Sequence, residues 1–376
     1  MKVLVDCVPL VSGGGVQAAV AILAGLLRQS AVSWNAVVPH ALRAALPDEF
    51  AADVRVTFVQ RRSQADSVWL TNRLRQIERD FAPSVVFTVF GPPFFRPRAP
   101  QLTGFALPHM LYDRDSLMPR ATIVNRFGDM LRRALFRRAG HLVVETETAR
   151  QLLAHRLDIP LARISVIPNS FNPLLVRTPE METPPPGPFG ILIPSAYYWH
   201  KNLEMVPEVA ADMRRLDPGL DFVFRFTLDP RIPQWAAIMG RARALGVERH
   251  LATLGTVKIT ALAQAYAASS AVFLPTLREV STAVYPESFY FRRPLVTTDM
   301  DFARELCGNA AAFAAPRDAG DAACKLAGLA RSQQRRAQLV SAGERQLAAG
   351  YPTPAEKLRM QLELLAKVAA GATSAV

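Results

Sequence analysis

The feature that most constrains the fold is a pattern of short apolar runs separated by helical segments, which occurs twice along the chain. In the first half the apolar runs include residues 2–8, 84–90 and 141–147. Strands that are apolar on both faces are typical of parallel sheets covered by helices on both sides. A proline-rich stretch, TPEMETPPPGPFG at 178–190, interrupts the pattern, which then restarts at 190–196. The sequence therefore predicts two α/β domains joined by a linker.

The length of the chain agrees with two domains, because 376 residues are more than one ordinary hydrophobic core accommodates. Half of the residues are apolar and a fifth are charged, which is typical of a globular protein. The predicted boundaries are 1–177 for the N-terminal domain, 178–189 for the linker and 190–350 for the C-terminal domain. We expect residues 351–376 to form a C-terminal helix that packs back on the N-terminal domain.

The cysteines and histidines indicate whether a metal is expected and which cellular compartment fits the chain. The three cysteines, Cys7, Cys307 and Cys324, are far apart, and neither they nor the six histidines have metal-ligand spacing. We therefore expect no metal, and the sparse cysteines fit a reducing cytosol. The sequence has no signal-peptide pattern and no apolar run long enough to span a membrane. The expected location is the cytoplasm.

The chain is basic, with a net charge of +12 that comes mostly from arginine. Such a surface can bind nucleic acid, an anionic membrane or anionic small molecules. No nucleic-acid-binding motif is present, so nucleic acid is not an expected partner. The arginines concentrate locally at 126–138, RFGDMLRRALFRR. This segment is either a solvated helix face or, with Leu131, Leu135 and Phe136, a contact with anionic lipid headgroups at the inner membrane face.

The segment TLREVSTAVYPESFY at 276–290 carries the strongest indication of chemistry. It follows a buried strand and places Glu279 and Glu287 on either side of an uncharged run. In parallel sheets, ligands bind beyond the carboxyl ends of the strands. Pro286 suits the first turn of a helix, whose N-terminus attracts phosphate, and a carboxylate accepts hydrogen bonds from vicinal hydroxyls. These properties together predict a ligand with phosphate between two hydroxylated ends, such as a nucleotide sugar.

The pair Glu279-x7-Glu287 resembles the E-x7-E motif of retaining GT-B glycosyltransferases, in particular family 4 (glycosyl transferases group 1). WHKNLE at 199–204 resembles the family's lysine–asparagine–leucine segment, and SGGGVQ at 12–17 resembles its glycine-rich first loop. Three longer segments also resemble the family, namely 143–173 with its VIPN signature, 254–279 and 297–313. The resemblance covers essentially the whole chain and is most specific between residues 141 and 315.

The resemblance implies an α/β architecture of the GT-B type, in which two Rossmann-like domains have parallel sheets that face across a cleft. It implies transfer of a hexose-type sugar from a nucleoside-diphosphate-sugar to an acceptor hydroxyl, with retention at the anomeric carbon and without metal or cofactor. The leaving phosphate itself would accept the proton of the acceptor. Closure of the domains would exclude water.

The resemblance also implies roles for individual residues. Glu287 would hold the donor ribose, Glu279 would contact the transferred sugar and Lys201 would neutralise the diphosphate. The backbone N–H groups that meet phosphate and sugar would be those of Ser281, Thr282 and Ala283. His109 resembles the acceptor-side histidine near the reacting carbon. Gly14 and Gly15 would either contact a ligand through the backbone or only form a tight strand–helix turn.

The chain departs from the family pattern at two places. The run Val280-Ser281-Thr282-Ala283 replaces the usual glycine–phenylalanine–glycine, so the backbone approach to the sugar differs. The usual arginine before the lysine is missing from SAYYWHK. Either Arg225, on the next strand, or Arg278 would then supply the second positive charge.

Three rival functions lead to other expectations. A dinucleotide-dependent oxidoreductase needs Gly-x-Gly-x-x-Gly and an acidic residue about 20 positions later, and SGGGVQAAV does not fit that spacing. A sugar-nucleotide 2-epimerase on the same fold would bind a similar donor but need no acceptor. A non-catalytic nucleotide- or nucleic-acid-binding protein would form no sugar-transfer product. Arginine-rich, lysine-poor usage indicates a GC-rich bacterial genome, so we expect synthesis of cell-surface polysaccharide or lipopolysaccharide on a glycan or lipid-linked acceptor.

Overall fold

The computed structural model describes residues 1–10, 13–60, 67–112 and 123–371, and the chain divides into two compact units. The first unit contains Met1–Pro168 together with Thr353–Val376, and the second contains Asn169–Pro352. The C-terminal helix, Pro354–Ala369, thus belongs to the first unit.

The division after Pro168 lies nine residues before the boundary predicted at 177, and local packing explains the difference. Phe171 stacks on Tyr290 with ring centres 4.1 Å apart, and Arg177 donates to the Tyr290 carbonyl oxygen at 2.7 Å. Ser170 Oγ donates to the Pro352 carbonyl oxygen at 2.8 Å, next to the second crossing between the units. Residues 169–177 therefore pack with the second unit, although the proline-rich stretch follows them.

The first unit is built on a seven-stranded sheet in the order β3-β2-β1-β4-β5-β6-β7, and every described strand pair in it is parallel. The strands are β1 Lys2–Asp6, β2 Ser33–Pro39, β3 Val56–Val59, β4 Val85–Thr88, β5 Gln101–Gly104, β6 His141–Val144 and β7 Ile164–Val166. Every residue of β4, β5 and β6 is buried, as expected for central strands covered on both faces.

The helices of the first unit cover this sheet. They are α1 Gly14–Leu27, α2 Asp48–Ala51, α3 Ser67–Phe81, α4 Ile123–Arg138, α5 Glu147–Leu157 and the C-terminal helix. Thr353 and Glu356 begin the C-terminal helix with a capping box. The helix contacts α1 so closely that a Cβ atom on Gly25 would lie 2.6 Å from Leu358 Cδ2. Lys357 Nζ also forms an ion pair with Glu145 Oε1 at 2.7 Å.

The second unit has a six-stranded parallel sheet in the order β10-β9-β8-β11-β12-β13. The strands are β8 Phe189–Ile193, β9 Phe222–Phe226, β10 Leu251–Thr253, β11 Ala271–Leu274, β12 Leu295–Thr298 and β13 Ala311–Ala314. The helices are α6 Val206–Leu216, α7 Pro233–Ala244, α8 Ile259–Ala267, α9 Val284–Tyr290, α10 Asp301–Cys307, α11 Ala319–Arg331 and α12 Gln333–Gly350. The prediction of two parallel α/β domains is confirmed.

The strand order of the second unit reverses between β8 and β11. The chain proceeds from β8 outward to β10, then returns to the other side of β8 and proceeds from β11 to β13. At such a switch point the loops after the two central strands diverge and leave room for a ligand beyond their carboxyl ends. The segments that follow β8 and β11 contain Lys201 and Glu279, respectively.

Candidate functional site

The loops that follow β8 and β11 are hydrogen-bonded to each other. Leu277 N donates to the His200 carbonyl oxygen at 2.8 Å, and Thr276 Oγ1 lies 3.3 Å from the same oxygen. A short 3-10 turn, Trp199–Lys201, brings the first loop to this point, and Asn202 ends the turn with φ +53°. The backbone of the two loops therefore fixes which side chains meet at the switch point.

Lys201 and Glu279 form a buried ion pair at this point. Lys201 Nζ donates to Glu279 Oε1, and Thr276 Oγ1 donates to the same oxygen at 2.8 Å. Lys201 is 9% exposed and Glu279 is 5% exposed. Buried charges require a partner, because desolvation without one costs several kcal/mol. The structure thus brings together the two side chains that the sequence linked to the diphosphate and the transferred sugar.

Glu287 lies on α9 and is also buried, with 5% exposure. Tyr266 of α8 donates its O–H to Glu287 Oε2 at 2.9 Å, while no described residue donates to Oε1. Burial raises the pKa of Glu287 to about 7, and the hydrogen bond from Tyr266 opposes that rise. Burial and the neighbouring carboxylate raise the pKa of Tyr266 well above its usual value. Glu287 is therefore a carboxylate with one oxygen held and one left for a ligand.

Sequence reasoning missed Tyr266. It lies in ITALAQAYA, an alanine-rich helix that looks like ordinary core, and its contact with Glu287 joins residues 21 positions apart. The available signal was the single phenol in that helix, because a buried tyrosine O–H usually has a hydrogen-bond partner.

The turn between the two glutamates contains the three residues predicted to face phosphate and sugar. Ser281 Oγ accepts from Asn169 Nδ2 at 3.3 Å, Thr282 Oγ1 accepts from Val284 N at 3.3 Å, and Ala283 immediately precedes α9. Asn169 is the last residue of the VIPN signature. This signature therefore contacts the turn itself.

Arg225 does not join this group, which corrects its assignment to the donor site. Its guanidinium runs toward the amino-terminal edge of the sheet, where Nη1 donates to the Ala268 carbonyl oxygen at 3.0 Å. Gly190 makes room for it, because a Cβ atom there would lie 2.1 Å from Nη1. Lys201 and Glu279 lie beyond the opposite, carboxyl-terminal edge.

Arg278 is the cation that does lie at the switch point. It is 4% exposed and immediately precedes Glu279. Its guanidinium carbon is 5.6 Å from the ring centre of Trp199, in the same turn as Lys201. Of the two arginines that the sequence left open for the second positive charge, the structure favours Arg278.

The candidates of the first unit lie beyond the carboxyl ends of its own strands. Gly13 has φ +67° and is the residue just before α1. A Cβ atom on Gly15 would lie 3.0 Å from Leu10 Cδ2. A Cβ atom on Gly14 would meet nothing within 4 Å, so its backbone is accessible. His109 lies in the turn after β5, with Nε2 3.5 Å from Asp129 Oδ1 on α4. Gly15 thus has a packing reason, Gly14 has an exposed backbone, and His109 lies beside Asp129.

The exposed apolar residues of α4 differ from those expected at 126–138. Phe136 is completely buried, with its ring centre 4.9 Å from that of Phe105, so it cannot reach a membrane. The exposed apolar side chains are Phe127, Met130 and Leu131. The side chain of Arg126 lies outside the described residues. Among the described helices, none has both the length and the apolar composition needed to cross a bilayer.

Within the described residues, no group of three histidine, cysteine, aspartate or glutamate side chains forms a candidate metal site. The side chains described above at the switch point are two buried carboxylates, one lysine, one arginine and one phenol.

Comparison with known proteins bears on both units. Residues 13–173 match the family described as Glycosyltransferase Family 4. None of the curated proteins matches the chain significantly. Among solved structures, HepE from Anabaena, in complex with UDP and glucose, is 15% identical with a TM-score of 0.74, over 98% of this chain and 100% of that one. Sucrose-phosphate synthase from Thermosynechococcus elongatus is 13% identical with a TM-score of 0.73, over 99% of this chain and 100% of that one.

A third similar structure is the apo form of the lipopolysaccharide outer core galactosyltransferase WaaB, which is 13% identical with a TM-score of 0.63 over 97% of this chain and 99% of that one. These likenesses define the class, a protein with the fold of the GT-B glycosyltransferases. The match over residues 13–173 is similarity of sequence to Glycosyltransferase Family 4 over less than half of the chain. The GT-B fold expected from the motifs is confirmed, and residues 13–173 match the family that the resemblance named.

Proposed function

We propose that the protein is a retaining, metal-independent glycosyltransferase that moves a hexose from a nucleoside-diphosphate-sugar to an acceptor hydroxyl. The observation that carries the proposal is the buried set of Lys201, Glu279 and Glu287 beyond the carboxyl ends of β8 and β11. HepE has been crystallised with UDP-glucose, which makes UDP-sugars the first donors to test.

In this proposal the donor diphosphate approaches Lys201 and Arg278. Negative charge builds on the diphosphate as the glycosidic bond breaks, and fixed cations in a water-poor site stabilise that charge strongly. Both residues are more than nine-tenths buried, so their charges are little screened by solvent. These two cations do the work that a divalent metal does in other transferases.

Glu287 binds the ribose through the oxygen that Tyr266 leaves available. A carboxylate with one oxygen held in place can accept hydrogen bonds from both hydroxyls of a vicinal diol. Glu279, whose Oε1 accepts from Lys201 and Thr276, positions a hydroxyl of the transferred sugar rather than acting as a nucleophile. The leaving phosphate accepts the acceptor proton. His109 contacts the acceptor side, and the Gly14 backbone contacts the donor.

The proposed pathway is synthesis of bacterial cell-surface polysaccharide or lipopolysaccharide, and it rests partly on the likeness to WaaB. A lipid-linked acceptor fits α4, whose exposed side chains at Phe127, Met130 and Leu131 adjoin arginines. An apolar helix face flanked by cations can lie on an anionic membrane. The protein would then be cytoplasmic, with peripheral contact to the inner membrane face. Cosedimentation with anionic vesicles should weaken in Phe127→Ser/Leu131→Ser, and equal sedimentation would contradict this contact.

The decisive experiment is a screen of UDP-, GDP- and dTDP-sugars by isothermal titration calorimetry, followed by a transfer assay with the donor that binds. Lys201→Met and Glu287→Gln should each lose donor binding. Lys258→Met and Glu248→Gln are matched controls, because both residues are exposed in the same unit. Normal donor binding in both site variants would refute the assignment.

The products of that assay separate the alternatives. A transferred sugar with the anomeric configuration of the donor, formed equally with a metal chelator, is the expected result. An epimerised sugar without transfer would indicate the 2-epimerase. Salt-sensitive binding to nucleic acid with no nucleotide-sugar binding would indicate a non-catalytic protein.

A further inference from the structure

A basic depression of about 470 Å³ lies on the first unit, at the opposite edge of its sheet from His109 and Gly14. It is formed by α3 and by the segment that precedes β5, and both elements here adjoin the amino-terminal ends of strands. The described residues that line it are Asn72, Arg75, Glu78, Arg79, Arg96 and Arg98. The depression is therefore separate from the residues assigned to sugar transfer.

The position of the four arginines follows from the backbone. Arg75 and Arg79 are four residues apart on α3 and so lie on one helix face. The core residues Leu74, Ile77 and Phe95 pack beneath α3 and the segment opposite. The guanidinium groups consequently extend from backbone that is held in place by the hydrophobic core.

Glu78 fixes the segment that carries the other two arginines. Its Oε1 accepts from Arg98 N at 2.6 Å and from Ala99 N at 3.0 Å, and the residue is only 5% exposed. The carboxylate thus ties the segment 96–99 to α3. The floor of the depression has one negative charge, already hydrogen-bonded to backbone, against four positive charges at the rim.

The four guanidinium groups have no ion pair or hydrogen bond with any residue that the structure describes. Another arginine of the same unit, Arg55, is paired with Asp53 at 2.6 Å. Like charges at i and i+4 slightly destabilise a helix, and a concave surface with one sign of charge concentrates its potential. Four arginines that have no partner among the described residues are therefore costly around a depression in the protein alone and favourable toward an anion.

We propose that this depression binds a ligand with two or more phosphate groups. The planar guanidinium donates two parallel N–H bonds to phosphate oxygens, and a volume of this size is within the range of small-ligand sites. The ligand is either a soluble oligophosphate or the phosphate headgroup of an anionic lipid. The proposal does not depend on the sugar-transfer site.

The test uses sodium tripolyphosphate and isothermal titration calorimetry on the full chain. A Lys201→Met background removes the cation proposed for the donor diphosphate. Arg75→Gln/Arg79→Gln and Arg96→Gln/Arg98→Gln should each weaken binding at least about tenfold, because each removes charge-assisted hydrogen bonds. Arg28→Gln/Arg243→Gln removes the same charge from exposed arginines elsewhere and should leave binding unchanged.

Vesicles of phosphatidylcholine with and without cardiolipin distinguish the two sources of phosphate. Binding of tripolyphosphate without binding to cardiolipin vesicles indicates a soluble ligand, whereas loss of vesicle binding in the two depression variants indicates a headgroup. Either result supports the site. Equal weakening in the control variant, or no measurable binding of either probe, overturns it. Thermal unfolding of each variant shows whether the fold is intact, since these exposed substitutions should leave the midpoint unchanged.

Discussion

The buried pair of Glu287 and Tyr266 predicts a pH dependence of donor binding. Burial raises the pKa of Glu287 from 4.5 to about 7, which corresponds to ~3 kcal/mol against the ionised form. Since the folded state holds the proton more tightly than the unfolded state, this group's contribution to stability falls as pH rises from about 4.5 to about 7. Donor binding follows the opposite course, because the ionised carboxylate is the form that accepts from ribose hydroxyls.

The size of the effect follows from the fraction of ionised carboxylate. With a pKa of about 7, roughly one tenth of Glu287 is ionised at pH 6 and roughly nine tenths at pH 8. The apparent Kd for UDP-glucose should therefore be about tenfold lower at pH 8 than at pH 6. Glu287→Gln should bind weakly with no such dependence. Tyr266→Phe removes the O–H that lowers the pKa of Glu287, so its midpoint should move to higher pH.

Calorimetric titration with UDP-glucose across this pH range measures the effect. UDP-glucose is preferable to UDP, whose terminal phosphate titrates in the same range. Titrations in two buffers of different ionisation enthalpy count the protons released on binding. Tyr351→Phe is the matched control, because it removes another buried O–H of the same unit, one that donates to the Leu306 carbonyl oxygen at 2.8 Å. A flat affinity profile in the parent protein, or an unmoved midpoint in Tyr266→Phe, would refute the reasoning.

Three further outcomes follow from named contacts. Lys201→Met should lower the free energy of unfolding by about 3 kcal/mol, because the substitution leaves Glu279 buried without its cation. Adding Glu279→Gln to that variant should restore much of the lost stability, and urea titrations measure both changes. Gly25→Ala should lower the melting temperature through overpacking by about 1 kcal/mol or more, and Leu358→Ala in the same chain should relieve the contact. Thr353→Ala should cost about 1 kcal/mol by removing a helix cap, whereas Thr353→Ser should be nearly neutral in the same calorimetric scan.

Residues local to one loop could be read from the sequence, because chain order alone brings them together. The segment 276–290 follows a buried strand, so Glu279 was expected beyond its carboxyl end, and it lies there. Glu287 was expected on the helix that follows, and it lies there too. The roles assigned to them remain proposals.

Contacts between distant segments could not be read in the same way. The pair of Lys201 and Glu279 joins positions 78 residues apart and depends on β8 and β11 being neighbours. The sequence placed Arg225 at the wrong edge of the sheet. A strand residue has a definite face, but its long side chain can run toward either edge. The empty space at Gly190 decided the direction. Only the assembled sheet contains that information.

Internal pairing accounts for part of the buried charge at the switch point. Lys201 neutralises Glu279, and Glu287 is about half protonated near pH 7. A donor that binds there supplies new partners, with diphosphate for Lys201 and hydroxyl donors for Glu287. Binding therefore exchanges internal pairings for pairings with the ligand. The desolvation of these side chains has already occurred on folding, so it is not a further cost of binding. Water can donate to Glu287 but carries no negative charge for Lys201, which favours a phosphorylated, hydroxylated ligand over solvent at the same position.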